Sequence, residues 1–240
     1  SKKLNTVVVY PQILVKTQML KEIHVSRPFQ EASFATLPLV GILRGFSAEA
    51  TARMIAAAVE GGLLTVEVTM NTTGAADMIA AAVAATGEQI NVGAGTVCTT
   101  DDLHAALAAG ASFIVSPIVA VDVITECVAR GVPVFPGAMT PTEIFQAAQL
   151  GARMVKVFPA PIVGPEFIKL VLGPLDDVSL LPTGGITLEN MADYFQAGAK
   201  AVGIAGPIFN SQFAAAGDWN AVRAAAAAFV ARYQEIAAQA

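Results

Sequence analysis

Two histidines and two cysteines in 240 residues are too few for several kinds of chemistry. His24 and His104 lie far apart in the chain, so a catalytic zinc held by three histidines cannot be assembled. Cys98 and Cys127 give no disulfide framework, which points to a reducing compartment. The longest charge-free stretches, such as Ala105 to Val121, are interrupted by Gly, Ser and Pro, and none is an unbroken apolar run of about 18 residues. No charged start leads into an apolar core with a small-residue cleavage site. The expectation is a cytoplasmic protein without a membrane partner. The net charge of -5 offers no basic face to nucleic acid.

Apolar side chains are abundant, at 55% of residues. That suits parallel strands buried on both faces. From about Leu37 onward one pattern repeats: a short apolar or β-branched run, a Gly or Pro, then an Ala-rich helical stretch. The strand candidates are Leu39–Arg44, Thr65–Met70, Ile90–Thr96, Phe113–Pro117, Val132–Pro136, Met154–Phe158, Leu180–Thr183 and Ala201–Ala205. Helical patterns follow near Ala48, Ala75, Thr100, Val121, Pro141, Pro165, Leu188 and Asp218. Ser47, Thr140-Pro141 and Thr187 are helix-start signals. Eight such alternations predict a single-domain α/β fold, a (β/α)8 TIM barrel over residues 37–240. A doubly wound open sheet competes, but no G-x-G-x-x-G follows the first strand. Residues 1–36 fall outside the repeat and read as an N-terminal extension, with a strand candidate at Thr6–Val15 and a short helix at Lys16–Val25. Such an extension covers the barrel bottom or packs on a neighbour; a cleaved targeting segment is the other reading.

Polar residues on strands that should be apolar are the informative ones. In Thr65-Val66-Glu67-Val68-Thr69, side chains alternate between faces, so the valines turn to the helices and Glu67 turns inward. In Met154-Val155-Lys156-Val157-Phe158 the same logic turns Lys156 inward. Arg44, Thr96, Ser116 and Thr183 stand near the ends of other strands. All six fall in the middle or C-terminal half of their strands, the end at which barrel enzymes carry their chemistry. A structural Lys–Glu ion pair is the bland explanation. The catalytic one is that a lysine in an apolar site loses its proton, attacks a ketone and forms an imine. The protonated imine is an electron sink that lets the neighbouring C–C bond break. Glu67 is the inward carboxylate available as acid and base. Arg44 can fork onto the carboxylate of a 2-keto acid.

Thr183-Gly184-Gly185-Ile186 and Ala205-Gly206-Pro207 follow the last two strand candidates. Bare backbone N–H groups there suit a phosphate, although glycines also simply make tight turns, and Pro207 has no N–H to give. Gly93-Ala94-Gly95-Thr96 is a weaker signal, its glycines read as allowing close backbone approach. Lys169 reads as a solvated helix residue, and Cys98 and Cys127 as packing.

Taken in order, Gly41-Ile42-Leu43-Arg44-Gly45, Val66-Glu67-Val68-Thr69, Gly93-Ala94-Gly95-Thr96-Val97, Ser116-Pro117, Pro136-Gly137, Thr140-Pro141-Thr142-Glu143, Lys156-Val157-Phe158-Pro159-Ala160 and Pro182-Thr183-Gly184-Gly185-Ile186 form a series. It resembles the 2-keto-3-deoxy-6-phosphogluconate/4-hydroxy-2-oxoglutarate aldolases from about Leu37 to the C-terminus. The resemblance implies Lys156 as the Schiff-base lysine and Glu67 as the general acid/base. It implies contacts from Arg44 and Thr96 to the pyruvyl carboxylate, and phosphate binding at Gly184, Gly185 and Gly206. It also implies a small-molecule 2-keto acid substrate, no cofactor and a homotrimer. Thr183 matches a position where threonine goes with the gluconate substrate and valine with the galactonate epimer. Asn71 stands where some members carry an arginine, which leaves the carboxylate to Arg44. Pro207 stands where many have serine, which favours a shorter, unphosphorylated substrate. The expected reaction is cleavage of 2-keto-3-deoxy-6-phosphogluconate to pyruvate and glyceraldehyde 3-phosphate, or of 4-hydroxy-2-oxoglutarate to pyruvate and glyoxylate. The alternatives are a 2-keto-3-deoxy-6-phosphogalactonate aldolase, a phosphate-binding isomerase or synthase without an imine, and a non-catalytic assembly barrel.

Overall fold

A computed structural model describes residues 27–239. The strand and helix expected within Thr6–Val15 and Lys16–Val25 lie outside the described residues. The chain alternates strand and helix almost throughout. The strands are β1 Leu39–Leu43, β2 Thr65–Thr69, β3 Asn91–Gly95, β4 Ile114–Val115, β5 Val134–Phe135, β6 Gly137–Ala138, β7 Val155–Val157, β8 Leu180–Pro182 and β9 Val202–Ile204. The helices are α1 Glu31–Thr36, α2 Ala48–Glu60, α3 Ala75–Thr86, α4 Thr100–Ala108, α5 Val121–Arg130, α6 Pro141–Gln149, α7 Ala160–Leu172, α8 Met191–Gln196, α9 Ser211–Ala216 and α10 Trp219–Ala237.

All strand pairings are parallel. One sheet runs β5-β4-β3-β2-β1-β9 and the other β6-β7-β8. Pro136, the last residue of the expected strand Val132–Pro136, has no N–H to give and separates β5 from β6, which lies beyond that expectation. Its carbonyl still accepts from the Lys156 N–H at 2.8 Å, and the Val134 carbonyl accepts from the Arg153 N–H at 3.1 Å. On the other flank a parallel bridge joins Thr183 to Gly203, and the Lys200 N–H donates to the Leu180 carbonyl at 2.9 Å. The two sheets are thus tied along both flanks, as a curled parallel sheet requires.

Alternation along the strands divides the apolar side chains in two. Val66, Val68, Val92, Val134, Val155, Val157 and Val202 pack against the helices. Val40, Ile42, Phe113, Val115, Phe135, Met154, Leu181 and Ala201 form a separate cluster on the inner face. Each fully buried side chain of this size contributes roughly 1.5–3 kcal/mol. Helix α1 adds Phe34 to the inner cluster. Phe29, Phe34, Phe113 and Phe135 stand with ring centroids 5.3–6.3 Å apart, beneath the N-terminal ends of the strands. Residues 29–36 therefore pack at that end.

The helix starts follow local chemistry. Ser47 caps α2 by accepting from the Ala50 N–H, and Thr140 forms a reciprocal box with Glu143, with Pro141 at the first position of α6. Two expectations change. α7 begins at Ala160; non-helical Gly164 (φ 70°) divides it, so the pattern starting at Pro165 is its second part. α8 runs from Met191 rather than from near Leu188, and Asn190 before it makes no side-chain cap bond. Thr187 still gives the start signal: its N–H donates to Asn190 Oδ1 at 2.9 Å, its Oγ1 accepts from the Asn190 N–H at 3.4 Å, and its carbonyl accepts from the Met191 N–H at 3.1 Å.

Candidate active site

Arg44, Thr96, Ser116 and Thr183 directly follow the last residues of β1, β3, β4 and β8, while Glu67 and Lys156 sit mid-strand. Glu67 is wholly buried in the middle of β2, beside Ile42 of β1 and Gly93 of β3. Neither carboxylate oxygen has a hydrogen-bond partner among the described residues. Such a group costs about 1–3 kcal/mol to leave unsatisfied, and more when charged. Lys156 is 2% exposed, and its Nζ stands 5.0 Å from the centre of the Phe158 ring. The two side chains form no close ion pair, so the structural Lys–Glu bridge is not what the fold builds.

Burial drives both groups toward their neutral forms. It pushes the Glu67 carboxyl up, against the opposing pull of Lys156 and then Arg44. It pushes the Lys156 amine down; Glu67 opposes this, Arg44 adds to it, and Cys98 opposes it weakly. An amine and an acid, each drawn by burial toward its neutral form, are suited to carbinolamine formation and dehydration.

Arg44 follows the last residue of β1 and is exposed. Its Nη2 donates to Thr96 Oγ1 at 3.4 Å. Thr96 directly follows β3 in a left-handed backbone conformation (φ 57°), unusual for a residue with a branched side chain. Arg44 also lines a cleft of about 590 Å3 with Ile42, Phe46, Gly206, Pro207 and Ser211. Lys156 and Glu67 are buried and do not line this cleft.

The two glycine sites differ. Gly184 and Gly185 both have positive φ, at 86° and 62°. A Cβ on Gly185 would run into the Pro161 ring, and the Gly185 carbonyl accepts from Asn190 Nδ2 at 2.8 Å. Gly206 has ordinary φ and open space around it. Thr183 is buried; its hydroxyl donates to the Leu181 carbonyl at 3.3 Å, and its backbone joins β7 to the start of α7.

Sequence reasoning passed over three features. Cys98, read as packing, lies within electrostatic reach of Lys156; burial and then Asp102 push its thiol up, and Ser116 opposes this. Phe158 faces the lysine amine, which the two-residue spacing from Lys156 could have signalled. Gly93 and Gly95 make room for side chains rather than backbone, Phe113 in one case and Glu67 in the other. Lys169 is exposed, as expected. Among the described residues no cluster of three or more His, Cys, Asp or Glu could hold a metal ion, and no helix is long and apolar enough to cross a membrane.

The family model for KDPG and KHG aldolases (the abbreviations of the two substrates named above) matches residues 31–225. The 2-dehydro-3-deoxy-6-phosphogalactonate aldolase of Escherichia coli (strain K12) is 34% identical over 200 residues, which is 83% of this chain and 96% of that one. The 2-dehydro-3-deoxy-phosphogluconate aldolase of Treponema pallidum (strain Nichols) is 38% identical over 190 residues, 78% of this chain and 88% of that one. Among solved structures, the KDPG aldolase from Legionella pneumophila, with pyruvate captured as a covalent carbinolamine intermediate, aligns with a TM-score of 0.77 and 26% identity, covering 83% of this chain and 97% of that one.

Proposed function

The chain belongs to the KDPG and KHG aldolase family, and from that membership we propose a Schiff-base mechanism on Lys156 with Glu67 as its proton carrier. The protein is an aldolase, a carbon–carbon lyase acting on a small-molecule substrate. The observation that carries the mechanism is the unpartnered, buried Glu67 carboxyl beside a buried lysine.

The steps follow from the two neutral groups. The Lys156 amine adds to C2 of the 2-keto acid, and Glu67 protonates the resulting hydroxyl, which leaves as water. The Glu67 carboxylate then takes the proton of the C4 hydroxyl. The C3–C4 bond breaks, its electron pair enters the iminium as an enamine, and the aldehyde departs. Glu67 returns the proton to C3, and hydrolysis frees pyruvate and the amine. Arg44 and Thr96 receive the carboxylate, and the backbone of Gly184, Gly185 and Gly206 receives the phosphate of 2-keto-3-deoxy-6-phosphogluconate. Pro207 lowers the number of N–H donors there, which keeps 4-hydroxy-2-oxoglutarate as a second substrate. The galactonate epimer is the second reading, favoured by the likeness to the E. coli galactonate enzyme.

The same reading completes the fold as an eight-stranded barrel, with β5 and β6 as one strand on either side of Pro136. It divides the chain into an extension over residues 1–36 and a barrel over 37–240. It also takes the molecule to be a cytoplasmic homotrimer that needs no cofactor. Borohydride reduction in the presence of pyruvate tests the mechanism. We expect a mass adduct on Lys156, and a Lys156→Ala variant without adduct or turnover. An adduct on another residue, or turnover surviving in Lys156→Ala, refutes it.

A further inference from the structure

Two threonines outside this set are tied to it by a chain of hydrogen bonds. Thr72 lies in the turn after β2 and is 8% exposed. Its Oγ1 accepts from the Gly45 N–H at 2.9 Å. The same hydroxyl stands 3.1 Å from Oγ1 of Thr69, the wholly buried last residue of β2. The Thr72 N–H in turn donates to the Thr69 carbonyl at 2.9 Å. The end of β2 thus grips the end of β1 through a side chain, beyond the last paired residues Leu43 and Val68.

The peptide that Thr72 holds joins Arg44 to Gly45. Gly45 has φ 76° and open space around it, so neither packing nor a side chain of its own fixes that turn. The Arg44 side chain is exposed, and its bond to Thr96 is long at 3.4 Å. Its direction therefore depends on the backbone from which it springs. Thr69, at the other end of the chain of bonds, shares the inner face of β2 with Glu67. One pair of hydroxyls sets the strand of the acid against the strand of the arginine.

We propose that Thr72 is a positioning residue that holds Arg44 toward the carboxylate of the 2-keto acid. This rests on Lys156 being the imine-forming amine. A hydroxyl lost from such a bond typically costs about a tenfold change in an equilibrium.

Borohydride trapping measured against ketone concentration tests the idea with two probes. Pyruvate carries the carboxylate; pyruvamide carries the same ketone beside a neutral amide. Thr72→Val is expected to raise the half-saturating pyruvate concentration about tenfold and to leave that of pyruvamide within about twofold. Thr72→Ser, which keeps the acceptor, should stay near the wild-type value for both. Should Thr72→Val not fold, Thr69→Val, which leaves Thr72 in place without its anchor, is expected to show the same selective loss at smaller size. Unchanged pyruvate saturation, or equal losses with both probes, overturns the proposal. A wild-type chain that traps neither ketone overturns the Schiff-base reading first, and this inference with it.

Discussion

A β-carbon on Gly95 would overlap Oε1 of Glu67 and lie 2.7 Å from its Cδ. The glycine thus leaves the space that the acid occupies, one strand away. Gly95→Ala should displace the carboxyl and lower kcat by on the order of 10²-fold, the effect of losing a general acid/base. Overpacking of this kind costs typically about 1–3 kcal/mol. Steady-state kinetics beside thermal unfolding check both; a variant with near-normal kcat would break the link between the glycine and the acid.

Glu67→Gln should lower turnover by a similar factor, on the order of 10² or more. Its effect on stability should depend on pH. Burial raises the folded-state pKa above the ordinary carboxyl value of 4.5, so the native state holds its proton more firmly than the unfolded chain does. Stability from this group is full below the unfolded value and declines as pH rises through the folded one. Urea unfolding of wild type and Glu67→Gln should therefore diverge in favour of the glutamine variant as pH rises from 4.5. A difference constant with pH would contradict the raised value.

The amine titration should respond to its two charged neighbours in opposite senses. Glu67 raises the Lys156 pKa and Arg44 lowers it, while burial keeps it below 10.5. The rate of imine trapping falls as pH drops through that value, because the ammonium cannot attack. Glu67→Gln should move this acid limb to lower pH and Arg44→Met to higher pH. Shifts in the same direction would show that the two charges do not act on Lys156 as described.

Gly185→Ala places a β-carbon against the Pro161 ring at a φ of 62°. Strain of about 1–2 kcal/mol should distort the loop that follows β8. KM for 2-keto-3-deoxy-6-phosphogluconate should rise several-fold while KM for 4-hydroxy-2-oxoglutarate stays near wild type. Equal rises for both substrates would remove the phosphate from this loop.

The period of two made Glu67 and Lys156 legible, because valines flank each of them and only the opposite face remained. Helix starts at Ala48 and Pro141 were equally plain, since Ser47 and Thr140 each accept from an N–H of the first turn. The break at Gly164 and the start of α8 at Met191 rather than Leu188 were not legible. They depend on backbone conformation, which residue type alone does not specify. Thr72 was hidden for the same reason: its partner is a backbone N–H 27 residues away, on another strand's turn. The role of Gly95 needed the position of the neighbouring strand's side chain, which register decides and composition does not.

The four phenylalanine rings fill part of the inner face, while Arg44 and Gly206 line an open cleft. With the proposed imine on buried Lys156, the three-carbon piece stays attached to the protein while the aldehyde is free to leave. On that reading traffic is a queue: the aldehyde goes out first, and pyruvate, last to be released, is also first to be admitted when the enzyme runs toward synthesis.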